Sequence, residues 1–72
     1  MLHHWKIRNL ANRKAYFVVI HKGVSALDQV HDFMVEHDIK ARECRILETS
    51  SRFINMPYRE YVMRAFSSKA TI

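Results

Sequence analysis

Between Ala15 and His21 the chain reads AYFVVIH, which is apolar on both parities of an extended backbone. Tyr16, Val18 and Ile20 share one side, Phe17 and Val19 the other. So short a run of aromatic and β-branched residues favours a strand over a helix. A strand apolar on both faces is usually central in its sheet and covered on both sides. Two arrangements meet that demand. Helices cover both sheet faces, or both helices lie on one face and Tyr16, Val18 and Ile20 meet a second copy, which makes them dimer-interface candidates.

The flanking segments supply the rest of an α/β unit. His4 to Asn9 alternates Trp5 and Ile7 with Lys6 and Arg8, the period of a half-buried strand. Leu10 to Lys14 is a hairpin loop in which Asn12 suits the left-handed conformation of a tight turn. Gly23 marks the exit from the second strand. Ser25 is the expected N-cap of a helix, with Asp28 complementing the helix dipole. Leu27, Val30, His31 and Met34 recur at helical spacing, flanked by Ala26 and Phe33, with Val35 outside the stripe. The helix is expected to stop near His37 or Asp38, with Ile39 folding back as the hydrophobic contact of a C-cap.

Arg42 to Glu48 reads as a third strand, with Cys44 and Ile46 on one parity and Glu43, Arg45 and Leu47 on the other. Thr49-Ser50-Ser51 is a turn, and Arg52 to Asn55 is a short fourth strand. Pro57 is expected in the first turn of a second helix, where its missing N–H costs nothing. Tyr58, Tyr61, Val62, Ala65 and Phe66 share a face of that helix, and Ser67 to Ile72 is a frayed tail. The fold class is α+β: a small two- or three-layer domain, residues 1–72, of order ββαβ(β)α. Its sheet has three to four mainly antiparallel strands and its helices number two.

Composition limits function. A chain of 72 residues buries only about 60% of its unfolded surface, so its core is thin and a partner or second copy helps it. The single Cys44 cannot form an internal disulfide, and the N-terminal stretch lacks the apolar core of a signal peptide. No window is apolar enough to span a membrane. A cytoplasmic setting without membrane association is expected. Net charge is +5, but it is unevenly spread. Residues 1–23 hold five bases and no acid, residues 24–50 are net acidic, and residues 51–72 are basic again.

Catalysis finds no foothold. No Gly-rich phosphate loop or nucleophile motif occurs, and His31-Asp32 and His37-Asp38 are sequence neighbours that do not face one another on a helix. His31 and His37 lack the spacing of helical zinc sites, so neither a metal nor another cofactor is expected. A Met1-Leu2-His3 amino terminus suits square-planar copper or nickel, but any chain beginning that way shares the property. Cys44, beside Ile46, reads as a small core residue, although Arg42 and Arg45 would lower its pKa were it exposed.

A non-catalytic binding module remains. The first expectation is binding to the backbone of DNA or RNA. Lys6, Arg8, Arg13 and Lys14 of the hairpin would contact phosphates, Tyr16 would stack on an unpaired base, and Arg59 and Arg64 would extend the surface. The alternative is a small inhibitor or adaptor of another protein, such as a phage or bacterial regulator. It would dock by a free sheet edge and by charge, with Asp28, Asp32 and Glu36 facing a basic partner.

Overall fold

The computed structural model describes residues 3–50 and 52–70, with side chains up to residue 66. The elements are β1 (His3–Asn9), β2 (Lys14–Ile20), α1 (Ala26–Glu36), β3 (Cys44–Thr49), β4 (Arg52–Pro57) and α2 (Tyr58–Ala70), with a 3₁₀ turn at Ala41–Glu43. The α+β class and the order ββαβ(β)α stand, with the fourth strand present and extended to Pro57. One four-stranded sheet runs in the order β2-β1-β3-β4, antiparallel throughout. No helix among the described residues is long and apolar enough to cross a membrane.

Both helices pack on one face of that sheet. Trp5 and Ile7 of β1, Val18 and Ile20 of β2, and Cys44 and Ile46 of β3 form a single core with Val30, Met34, Ile39 and Tyr58. Ile7 lies directly opposite Ile46 across the β1–β3 ladder, and both are fully buried. Trp5 packs edge-on against Tyr61 of α2, ring centroids 5.1 Å apart, while Tyr16 meets Phe33 of α1 at 5.7 Å. The described residues therefore form two layers, and among them no helix covers the second sheet face.

This arrangement corrects two expectations. β2 is an edge strand rather than a central one, because β3 returns to pair with the other side of β1. Tyr16, Val18 and Ile20 are turned toward the helices, so they belong to the chain's own core and are not a dimer interface. Residues Phe17 and Val19, on the opposite parity, are the ones left exposed.

Local chemistry explains the turns. In the β1–β2 loop it is Arg13, not Asn12, that takes the left-handed conformation, at φ 62°. Asn12 instead accepts the Lys14 N–H through Oδ1 (2.9 Å) and donates its amide to the Tyr16 hydroxyl (3.3 Å). Asn9, a buried polar side chain, accepts the Ala11 N–H at 3.1 Å, which satisfies its amide oxygen. Gly23 sits at φ 87° in the turn closed by the Val24 N–H to the His21 carbonyl (3.2 Å), a conformation that favours glycine.

Ser25 occupies the N-cap of α1, but its side chain makes no capping bond. The other end is a complete Schellman closure. The Ile39 N–H reaches the Met34 carbonyl (2.8 Å), the Asp38 N–H reaches Val35 (3.2 Å), and Asp38 is left-handed at φ 54°. Ile39 is buried, the fold-back that its position after the helix predicts. His31 departs from expectation. It is exposed, and Phe33 is half-buried in its place, because the helix turns its 26-27-30-33-34 stripe to the sheet. On α2, Phe66 likewise points outward, and Ser67 to Ala70 continue the helix rather than fraying. Pro57 closes β4 and immediately precedes α2, at the end of an edge strand that tolerates proline. Residues 1, 2, 51, 71 and 72 lie outside the described residues, and with them the amino-terminal copper or nickel pattern and part of the Ser50 turn.

Candidate functional site

The open face is defined by register. Lys6 stands opposite Phe17 of β2 on one side and Glu48 of β3 on the other, and Glu48 in turn faces Phe53 of β4. Phe17, Lys6, Glu48 and Phe53 thus make one row straight across all four strands. The next row is Ala15, Arg8 and Arg45. Val19 and His4 form a third, with His4 Nε2 3.4 Å from the Glu48 carboxylate.

Two irregularities place the β3 and β4 members of these rows. Leu47 is an extra residue on β3, skipped between the Lys6–Glu48 and Ile7–Ile46 pairs. It brings Glu48 onto the open face beside Arg45. On β4, Ile54 and Asn55 together oppose Leu47, and Asn55 adopts the left-handed conformation at φ 52°. That bulge is clasped by Arg45, whose Nε donates to Asn55 Oδ1 (2.8 Å) and whose Nη2 donates to the Asn55 carbonyl (3.3 Å). The clasp orients one edge of the guanidinium and leaves the remaining N–H donors for another acceptor.

The result is an interleaving of exposed rings and cations. Phe17 is 62% exposed and Phe53 74%. The Lys6 ammonium lies 5.4 Å from the Phe17 ring centroid, within reach of a cation–π contact. Arg8 directly opposes Arg45, a like-charge pairing that costs energy when nothing lies between them. Among the described residues, Lys6, Arg8 and Arg45 make no salt bridge. A shallow depression of about 420 Å³ runs among Lys6, Arg8, Arg45, Glu48, Phe53 and Asn55.

Of the residues singled out from the sequence, the structure gathers only Lys6 and Arg8 on this face. Arg13 sits at the tip of the loop, and Lys14 has the parity of Tyr16, toward the helix layer. The Tyr16 ring packs against the stacked Phe33–His37 pair, 5.7 Å from each centroid, and its hydroxyl is engaged by Asn12, so it is not presented for stacking. Arg59 and Arg64 lie on α2, in the other layer, and Arg64 pairs with Glu60 at 3.5 Å. Asp28, Asp32 and Glu36 are exposed on α1, also opposite the open face. Phe17, Arg45 and Phe53 were not anticipated. Phe17 and Arg45 could have been found by carrying the Trp5/Ile7 and Cys44/Ile46 parities across the sheet. Phe53 depends on a bulge that no pattern announced.

A second groove, of about 510 Å³, separates β4 from α2 and is lined by Arg52, Arg64, Tyr61 and Met56. Phe53 borders both concavities, so the open face and the groove meet at the β4 edge.

Cys44 is buried, and burial pushes its thiol up to about 11, so neither Arg42 nor Arg45 activates it. Tyr58 is raised in the same way, by burial first and then by Cys44 and Asp28 nearby. His37 stacks on Phe33 at 3.9 Å and donates from Nδ1 to the Phe33 carbonyl (3.0 Å). Among the described residues, no three His, Cys, Asp or Glu side chains converge as metal ligands. The chain matches no family model, no curated protein and no solved structure.

Proposed function

We propose that this protein is a non-catalytic nucleic-acid-binding module that engages the phosphate backbone with its open sheet face. One observation carries the reading: Lys6, Arg8 and Arg45, none of them in a salt bridge among the described residues, outnumber the single acid Glu48 on an uncovered face with two exposed phenylalanines, while Asp28, Asp32 and Glu36 are held in the opposite layer. A polyanion approaching the sheet meets the cations, and one approaching α1 meets repulsion. The Arg8–Arg45 opposition supports the reading further, because a phosphate between them converts a repulsive pair into two charge-assisted contacts. Arg13 at the loop tip extends the basic surface. A lone cysteine kept as a buried thiol fits a cytoplasmic setting.

Backbone contacts position a ligand without reading its bases, so little sequence preference is expected. Neutralising three phosphates on a single strand gives a log-log salt slope of about −2, so affinity falls roughly 20-fold between about 50 and 200 mM salt. Fluorescence anisotropy with a labelled oligonucleotide at several salt concentrations measures that slope. An affinity that hardly changes with salt rules the reading out.

The exposed acids of α1 favour a second reading, a small inhibitor or adaptor that docks on a basic protein surface. The β2 edge is a poor site for an added strand at its C-terminal end. There the Gln29 amide donates to the Val19 carbonyl, and its Oε1 accepts the His21 N–H (2.9 Å). A pull-down repeated after nuclease treatment separates the readings, since a protein partner survives the nuclease and a nucleic acid does not.

A further inference from the structure

We infer that the ligand of the open face is single-stranded and lies across the β-strands, with one base on Phe17, another on Phe53, and its phosphates along the Arg8–Arg45 row. This rests on the nucleic-acid reading above and adds the form of the ligand, its direction and its two stacking points.

The register carries the argument. Phe17 and Phe53 are the ends of a single row, on the two edge strands of the sheet. Three strand spacings of about 4.8 Å set them roughly 14 Å apart. Successive bases in a duplex rise about 3.4 Å and hide their faces in the stack, so the rings meet a base face inside a duplex only by unstacking it, at a free-energy cost for each step. An extended single strand presents unpaired bases, and with at least one nucleotide between them it bridges both rings. Both phenylalanines are largely exposed. Phe17 has the Lys6 ammonium over its ring and His4 tilted against it at 5.6 Å, both surface side chains that a base displaces without rearranging the core.

The charges fix where the phosphates run. Glu48 lies in the same row, between the two rings, and repels phosphate from that line. The adjacent row offers Arg8 and Arg45 side by side, with Arg45 oriented by its clasp on Asn55. Bases over the aromatic row and phosphates over the arginine row therefore satisfy both sets of groups at once. Lys6, now leaning on Phe17, bridges the two rows. Glu48 accepts hydrogen bonds only, so the base passing between the rings offers it an N–H donor.

The test is an anisotropy titration with three labelled probes of equal length: an oligouridine, an oligothymidine and a blunt duplex. Wild type is compared with Phe17→Ala/Phe53→Ala, with Phe17→Tyr/Phe53→Tyr, and with Arg8→Ala/Arg45→Ala. Both rings being exposed, the phenylalanine variants keep their circular dichroism and melting behaviour. Wild type binds a single strand at least about tenfold more tightly than the duplex, and each lost ring weakens single-strand binding roughly tenfold. The tyrosine variant retains wild-type affinity because it keeps the stacking face. The arginine variant loses affinity for every probe. Binding of either single strand that is tighter than duplex binding and is weakened by loss of the rings supports the inference, and the ratio between the two strands reports the sugar and the thymine methyl.

If the phenylalanine-to-alanine variant binds single strands like wild type while the arginine variant does not, stacking is wrong and the electrostatic reading survives. If wild type binds none of the probes, both fall. A wild-type dimer in solution that Phe17→Ala/Phe53→Ala converts to monomer also overturns the inference, since the rings then serve a second copy.

Discussion

The two faces of the sheet are built from alternate residues of the same strands, yet they do different work. On β2, Val18 and Ile20 are buried under α1, while Phe17 and Val19, one step away, are exposed. On β1 the same step separates buried Trp5 and Ile7 from Lys6 and Arg8 on the open side. The covered face sets Ile7 against Ile46 and Trp5 against Val18, and its buried members are apolar apart from Asn9, none of them charged. The open face mixes rings with cations, a composition that a core would reject because unpaired charge is too costly to bury. Hydrophobicity alone does not separate the faces; what accompanies the apolar residues does.

The largest effect that distinguishes them is on stability. Ile7→Ala or Ile46→Ala creates a cavity between two fully buried side chains and costs about 3 kcal/mol, which unfolds much of a domain this small. Urea denaturation measures it, and a loss below about 1 kcal/mol would mean that the sheet-helix interface is not the core.

The covered face also makes stability depend on pH at the alkaline end. Folding raises Cys44 from 9.0 to about 11, so between these values the unfolded chain has released a proton that the folded chain keeps. The thiol's contribution is constant below pH 9 and lowers stability as pH rises toward 11, by up to about 2–3 kcal/mol, with Tyr58 acting in the same direction. Chemical denaturation at pH 8 and 10.5 checks this, and Cys44→Ala flattens most of the difference. The thiol also resists modification by a thiol reagent until the protein unfolds.

Gln29→Ala is expected to cost about 1–2 kcal/mol, because the Val19 carbonyl and His21 N–H lose the amide that closes the β2 edge. If stability is unchanged, the helix layer protects only the face and not the edge. The smallest effect belongs to the open face. Phe17→Ala, Phe53→Ala and Arg8→Ala each change stability by less than about 0.5 kcal/mol, and relief of the Arg8–Arg45 repulsion can make Arg8→Ala slightly stabilising. A loss of about 2 kcal/mol at Phe17 would mean that this face is covered in solution.

The element order and the inward parities of β1 and β3 were legible because each is carried within one segment. Trp5 and Ile7 alternate with charges, Cys44 and Ile46 with Arg45, and Ile39 follows its helix at the C-cap distance. The position of β2 was not legible. Apolar residues on both sides normally mark a central strand, and here they mark an edge strand with one face under a helix and the other open. Strand order depends on β3 pairing with β1 some forty residues earlier, which no local period encodes. The candidate site suffered most from this. Lys6 and Arg8 were visible, but Arg45, Phe17 and Phe53 join them only through cross-strand register and the two bulges at Leu47 and Asn55. Tyr16, the ring chosen from the sequence, lies one residue from the exposed one.

The most direct test of the claim that the open face is the binding surface is a chemical-shift titration of isotopically labelled protein with a short single-stranded oligonucleotide. The predicted result is a contiguous set of perturbed amides and side chains at Lys6, Arg8, Phe17, Arg45, Glu48 and Phe53, with Val30, Asp32 and Glu36 of α1 unmoved. Perturbations centred on α1, or confined to α2 at Arg59 and Arg64, would contradict it.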